Sequence, residues 1–247
     1  RGEVHSRGQG IGVRPGAFPP RHRGGSGRVP GDAGGMVFFR KLDQGGQGMT
    51  AVQIAIEKLL IGTGRDGIQN LIDYMERSGF FSQPCSSQYH LAAEGGLAEH
   101  SLNVCRLALM LRELLAPEIP EEKVVIISLL HDLGKSGQYG KPGYIPNMLK
   151  GRGKNADPYQ SESKPWKINP DLRYVDHEVR SIQIASQYIN LEEDESWAIL
   201  MHNGMYGTFK YQIQGKETPL YLLLHMADMW AGRVMEKKGD GADDGEE

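Results

Sequence analysis

The chain has 247 residues, 39% of them hydrophobic and 24% charged, with 33 glycines and a net charge of −3, within the range of a globular protein of one large or two small domains. Residues 1–48 carry eight Arg/Lys against three Asp/Glu, which leaves the other 199 at −8 and argues against broad non-specific nucleic-acid binding, since that needs clustered cations. Only Cys85 and Cys105 are present and no apolar run reaches membrane-span length, so neither a disulfide framework nor a membrane protein is expected, and the composition fits a reducing cytoplasm.

Residues 1–48 hold 14 Gly and four Pro with few aliphatics, so this segment lacks the apolar surface to order itself. Gly45-Gly46 can be encoded by a purine-rich ribosome-binding sequence a few codons upstream of Met49. The leader is therefore expected to be translated upstream sequence, with Met49 the native start; the alternative is a basic tail for an anionic partner. A domain is expected over 49–238, followed by an acidic tail, "GDGADDGEE", over 239–247. Within the domain the patterning is helical. Helices are predicted over 50–61 and 66–78, then over 97–115 with an apolar stripe of Leu97, Val104, Leu107, Met110, Leu111 and Leu114. Pro120 with Glu121 and Glu122 opens the next helix, which runs apolar to Leu130 before Gly134 stops it. Val175, Val179, Ile182 and Ile189 mark another, Glu192 to Glu195 open one carrying Trp197, Leu200 and Met201, and Thr218-Pro219 caps a last helix to 236. The fold expected is all-α, six to eight helices around one core.

The polar residues on these helices need a reason. "SLLHDLGKSG" runs a buried helix into His131 and Asp132, which is costly unless a hydrogen-bond network or a metal ion pairs with them. His100 lies on the 97–115 helix, His177 opens a helix, His202 ends one, and Asp228 sits amid Leu223, Leu224, Met226, Met229 and Trp230, where a buried carboxylate wants a cation. One inward imidazole or carboxylate per helix is how helical bundles build metal sites. The order H…HD…H…H…D, with "LLHDLGK" and "YHLAAEGGLAEHSLNV", resembles the HD superfamily of metal-dependent phosphohydrolases over roughly residues 85–235. The resemblance implies an all-helical fold and a metal held by His100, His131, Asp132 and Asp228. "DHEVRS" and "MHNG" resemble the extra histidines of the dinuclear subgroup, which implies a second ion at His177 and His202 with Asp132 bridging; the alternative is that these two contact substrate phosphate or hydrogen-bond the ligands.

Lys135 has no lone pair to give a metal and is expected to act in catalysis beside Asp132, by meeting substrate phosphate or neutralising developing charge. His225, one turn before Asp228, is expected to hydrogen-bond a ligating carboxylate. Residues 135–174 form a long connection with eight Lys/Arg against three Asp/Glu and five interleaved aromatics. That composition suits a nucleotide-binding lid; an ordinary solvated loop is the alternative. Lys141, Tyr144, Arg180 and His90 are the further expected substrate contacts. His and carboxylate donors without thiolate suit Mn²⁺, Fe²⁺ or similar ions, with two per chain expected. The function expected is hydrolysis of a nucleotide or small phosphodiester by metal-activated water. The alternatives are a 3′–5′ exoribonuclease acting on short RNA, a non-catalytic nucleotide sensor and an oxygen-dependent di-iron enzyme.

Overall fold

The computed structural model describes residues 49–151, 153 and 156–237. The expected leader over 1–48 and the acidic tail over 239–247 lie outside the described residues. Eight α-helices are present among those described: α1 (Ala51–Gly62), α2 (Ile68–Ser78), α3 (Gly96–Leu115), α4 (Glu121–Leu130), α5 (His177–Ala185), α6 (Glu193–Met201), α7 (Lys210–Ile213) and α8 (Pro219–Trp230). The protein is an all-α bundle, and no described helix is long and apolar enough to cross a membrane.

The position of α4 explains its sequence. It packs against α1, α3, α6 and α8, and every residue from Val124 to Leu130 is buried. Burial on all sides is why the segment shows an apolar run instead of a stripe, and each large aliphatic contributes about 1.5–3 kcal/mol when fully buried. The last helix starts as its sequence indicates, with the Thr218 hydroxyl accepting from the Tyr221 amide and Pro219 in the first turn. Its end differs. The α-helix gives way at Ala231 to one π-helical turn over Ala231–Met235, closed by Glu236 N–H to Ala231 O at 2.9 Å.

Two apolar patterns are met only in part. On α3, Met110 and Leu114 are 67% and 78% exposed, because the buried face runs through Leu97, His100, Ser101, Val104, Cys105 and Ala108. Of the apolar residues marking α5, Ile182 and Ile189 pack on the core, but Val175, just before the helix, and Val179 lie outward, while Glu178, Arg180, Ser181 and Ile184 are buried. Counting apolar residues misses much of the inner face of α5 because that face is largely polar.

Between α4 and α5 a 3₁₀ turn (Leu133–Ser136) leads into three small antiparallel ribbons. β1 (Gly137–Gln138) pairs with β2 (Lys141–Pro142), β3 (Tyr144–Pro146) with β6 (Trp166–Ile168), and β4 (Met148–Leu149) with β5 (Tyr159–Gln160). The insertion is tied to the body by Trp166, whose backbone N–H donates to Ser87 O and whose indole N–H donates to Ala92 O.

The start of α5 is locked to the end of α4. Ser181 Oγ donates to His131 O at 2.7 Å and accepts from Gly134 N–H at 2.8 Å. A Cβ on Gly134 would lie 2.3 Å from His177 O and 2.9 Å from Arg180 Cβ. Gly134→Ala is therefore expected to push α5 away and cost about 1–3 kcal/mol, the usual range for overpacking. Urea denaturation checks it, and a stability equal to that of the parent would refute this account of the close approach.

Candidate metal centre

Five helices bring the predicted residues to one place. His100 comes from α3, His131 and Asp132 from the end of α4, His177 from the first residue of α5, His202 from the end of α6 and Asp228 from α8. Asp132 is 1% exposed and lies at the middle. Its Oδ2 is 3.7 Å from His100 Nε2 and 3.4 Å from His131 Nε2; its Oδ1 is 3.2 Å from His177 Nε2 and 3.7 Å from His202 Nε2. Asp228 Oδ1 lies 3.1 Å from His100 Nε2 and 3.9 Å from His131 Nε2. Its side chain is 22% exposed, and Met226, Met229 and Trp230 beside it are also open to solvent, so its apolar flanks do not bury it fully.

The far side of each ring explains this orientation. Nδ1 of His131 is 2.8 Å from Ser128 O and Nδ1 of His202 is 2.7 Å from Ile199 O. A carbonyl can only accept, so both Nδ1 atoms carry a proton and each ring turns its Nε2 towards Asp132. Burial, with His131 and His177 adjacent, pushes the His202 pKa down to about 3, which keeps that ring neutral. His177 Nδ1 faces Glu178 Oε2 at 3.3 Å, and the Glu178 carboxylate accepts from Asn203 Nδ2 at 2.6 Å. His100 Nδ1 is 2.8 Å from Glu236 Oε2, and Asn203's counterpart there is Asn103, which donates to Glu236 Oε1 at 2.9 Å. Burial opposes charge on His100, but Cys85, Asp228 and Glu236 around it hold its pKa well above the ordinary histidine range. Burial likewise opposes ionisation of Asp132, yet Lys135, His131 and His177 hold its carboxyl well below the usual range.

The ring Nε2 atoms thus face the oxygens of Asp132. His131 Nε2 and Asp132 Oδ1 are buried and make no hydrogen bond, although other polar atoms lie within 4 Å of both. Buried polar groups are seldom left so, and an ion is one of the few things that satisfies such a pair. Two donors bound to one ion at about 2.1 Å each would sit roughly 3.0–3.5 Å apart, close to the separations here. Two of the donor groups within reach of a common point are His100–His131–Asp132 and Asp132–His177–His202, which share Asp132; a third joins His131, His202 and Asp228. The residues present fit one or two divalent ions. Cys85 Sγ lies 3.4 Å from His90 Nε2 and 4.0 Å from Asp132 Oδ2, but burial pushes its thiol up to about 11, so it adjoins the donors as a neutral group.

The family model of the HD domain matches residues 97–228, just over half of the chain. The chain belongs to the HD-domain family. Comparison with curated proteins and with solved structures gave no match. Membership suggests divalent-metal binding, and the donor set described here is where the described residues could hold an ion.

A cleft of about 740 Å³ opens onto these residues, lined among others by His90, Asp132, Lys135, His202, His225 and Asp228. Lys135 Nζ is 2.6 Å from Asp132 Oδ2, whose charge holds the ammonium well above its ordinary pKa against the effect of burial. Tyr144 is half-buried near Lys135 and Asp132, and its partial burial raises its hydroxyl pKa. His225 takes a different partner from the one expected: its Nδ1 is 2.7 Å from His202 O, and it packs over Gly204, where a Cβ would come within 2.4 Å of the ring. It therefore acts on the His202 end of α6 and not on the Asp228 carboxylate. Lys141 and Arg180 do not reach this cleft. Lys141 Nζ donates to Asp171 O, and Arg180 donates to Gln138 Oε1 and Arg173 O. Of the described residues of the 135–174 connection, only Lys135 at its start lines the cleft.

Glu178, Asn203 and Glu236 were not found by sequence reasoning. Glu178 and Asn203 each follow a predicted histidine directly, a signal that was readable; Glu236 carries none, since only the π turn aims it at His100. Glu178→Gln and Glu236→Gln are each expected to weaken divalent-metal affinity by about 10–100-fold while leaving the fold intact. Competition with a fluorescent chelator measures this, and an affinity unchanged in both would remove the orienting role.

Proposed function

We propose that this HD domain, over residues 49–238, is a metal-dependent phosphohydrolase acting on a nucleotide or another small phosphoester, working in the cytoplasm. The observation that carries the reading is the convergence of four imidazoles, each backed by a carbonyl or a carboxylate, in two pairs, on the two oxygens of one buried Asp132. In this reading His100, His131, Asp132 and Asp228 hold one ion, and Asp132, His177 and His202 the other. When bound there, Mn²⁺, Fe²⁺ or a similar ion supplies a water acidic enough to attack near neutral pH and an electrophile for the phosphoryl oxygens.

The protein's own groups do the rest. Lys135 brings a permanent cation into the cleft beside Asp132, where negative charge on a phosphoryl group would develop. At the mouth, Arg233 stacks 4.4 Å from the centre of the Tyr206 ring, with Tyr89 and Lys237 also lining the cleft, which offers cations for phosphate and ring faces for a base. His90 lines the same wall, its ring centre 5.0 Å from that of His100 and tilted 46° to it. A cleft of this volume is the size of a small-molecule site.

A screen of divalent metals against a generic phosphodiester, a phosphomonoester, nucleoside mono- and triphosphates, cyclic dinucleotides and short RNA tests the reading. Turnover of a nucleotide or small ester supports it; processive degradation of RNA alone would assign the exoribonuclease activity, and metal binding without turnover of any substrate would assign a sensor. Elemental analysis should find about two ions per chain, falling towards one in His177→Ala and His202→Ala. A wild-type content of one, unchanged in both variants, rules out the dinuclear site. Lys135→Ala is expected to lower turnover about 10²–10³-fold. Turnover equal to that of the parent would remove Lys135 from the chemistry.

A further inference from the structure

A second cleft, of about 620 Å³, lies beside the insertion and is lined by Tyr139, Lys141, Asp171, Arg173, Arg180 and Gln183 among others. It collects three cations against one carboxylate in a protein whose net charge is −3, so the excess is local. Arg180 is the informative member. It is 4% exposed, yet its guanidinium is met only by neutral acceptors, Gln138 Oε1 at 2.7 Å and Arg173 O at 2.7 Å. Among the described residues no carboxylate pairs with it. A buried guanidinium normally has a carboxylate, because neutral acceptors alone do not offset the loss of its hydration. The Lys141 ammonium is likewise met by a backbone carbonyl, that of Asp171, at 2.7 Å. Tyr139 lines the same cleft in a left-handed conformation, φ 57°, that costs a residue with a side chain energy.

We propose that this cleft binds a phosphate-bearing anion, separately from the metal centre. Three cations around one small pocket exceed the charge of a single carboxylate, and the planar fork of Arg180 matches phosphate oxygens. The pocket volume lies within the range of small-molecule sites. The site does not depend on the hydrolase reading, since its residues belong to the insertion and to α5. It is not remote from the metal centre either, because Arg180 sits one helical turn after His177 on α5.

Isothermal titration of inorganic pyrophosphate into the full chain, stripped of metal by chelation and held at low salt, tests the site. A single saturable site is expected, weakening as salt is raised. Arg173→Gln and Lys141→Gln, both at exposed positions, should each reduce affinity about tenfold, the effect of losing one charged hydrogen bond. Arg233→Gln, an exposed position at the mouth of the metal cleft, should leave it unchanged. Absence of saturable binding overturns the proposal. So does binding that is lost in Arg233→Gln and kept in the other two, which would place the anion at the metal cleft.

Discussion

The structure depends most on the electrostatic environment of Asp132. A carboxylate almost wholly withdrawn from water faces four imidazole Nε2 atoms and one ammonium. Such a group is stable only if positive charge compensates it. Lys135 supplies part of that charge at Oδ2, but Oδ1 and His131 Nε2 stay without hydrogen bonds. The rings do not rotate to relieve this, because each Nδ1 is already engaged on the outside. Rigid donors pointing at a common centre are what an ion needs, since little freedom is lost when it binds.

The same local device is used twice to fix those rings. His131 and His202 each follow the last residue of a helix and each returns its Nδ1–H to the carbonyl three residues earlier, Ser128 or Ile199. A helix C-terminus has carbonyls without intrahelical partners, so a histidine placed there satisfies one and turns its other nitrogen inward. His100 and His177 lie within or at the start of helices, where no free carbonyl is at hand, and carboxylates serve instead. Glu178 comes from the neighbouring position on α5; Glu236 is delivered from the far end of the chain by the π turn after α8. π turns tend to occur at such positions because the wider turn re-aims the residues after it.

The helix α5 joins two chemically distinct regions. His177 and Glu178 face the donor cluster, Ser181 bonds the end of α4, and Arg180 enters the cleft made by the insertion. Its inner face is polar along most of its length, and Gly134 lets it approach the turn after Asp132 without a side chain between them. Lys141, Arg173 and Arg180 thereby line one cleft, while Lys135, Arg233 and Lys237 line the metal cleft.

The sequence by itself determined the helices and the set of polar residues that had to meet. The apolar run Val124–Leu130, the Thr218-Pro219 cap and the spacing of His100, His131, Asp132, His177, His202 and Asp228 are local or periodic signals, and chain connectivity alone carries them into the fold. Tertiary structure decided what periodicity cannot express. The exposure of Met110 and Leu114 depends on where α3 leaves the core, and the inward face of α5 is chosen by its neighbours and not by its hydrophobicity. Lys141 and Arg180 have the composition of substrate contacts, but which cleft a cation enters is set by the packing of the insertion against α5. Glu236 lies 136 residues from His100, and a pair so distant is formed only by a turn whose geometry no short stretch of sequence encodes.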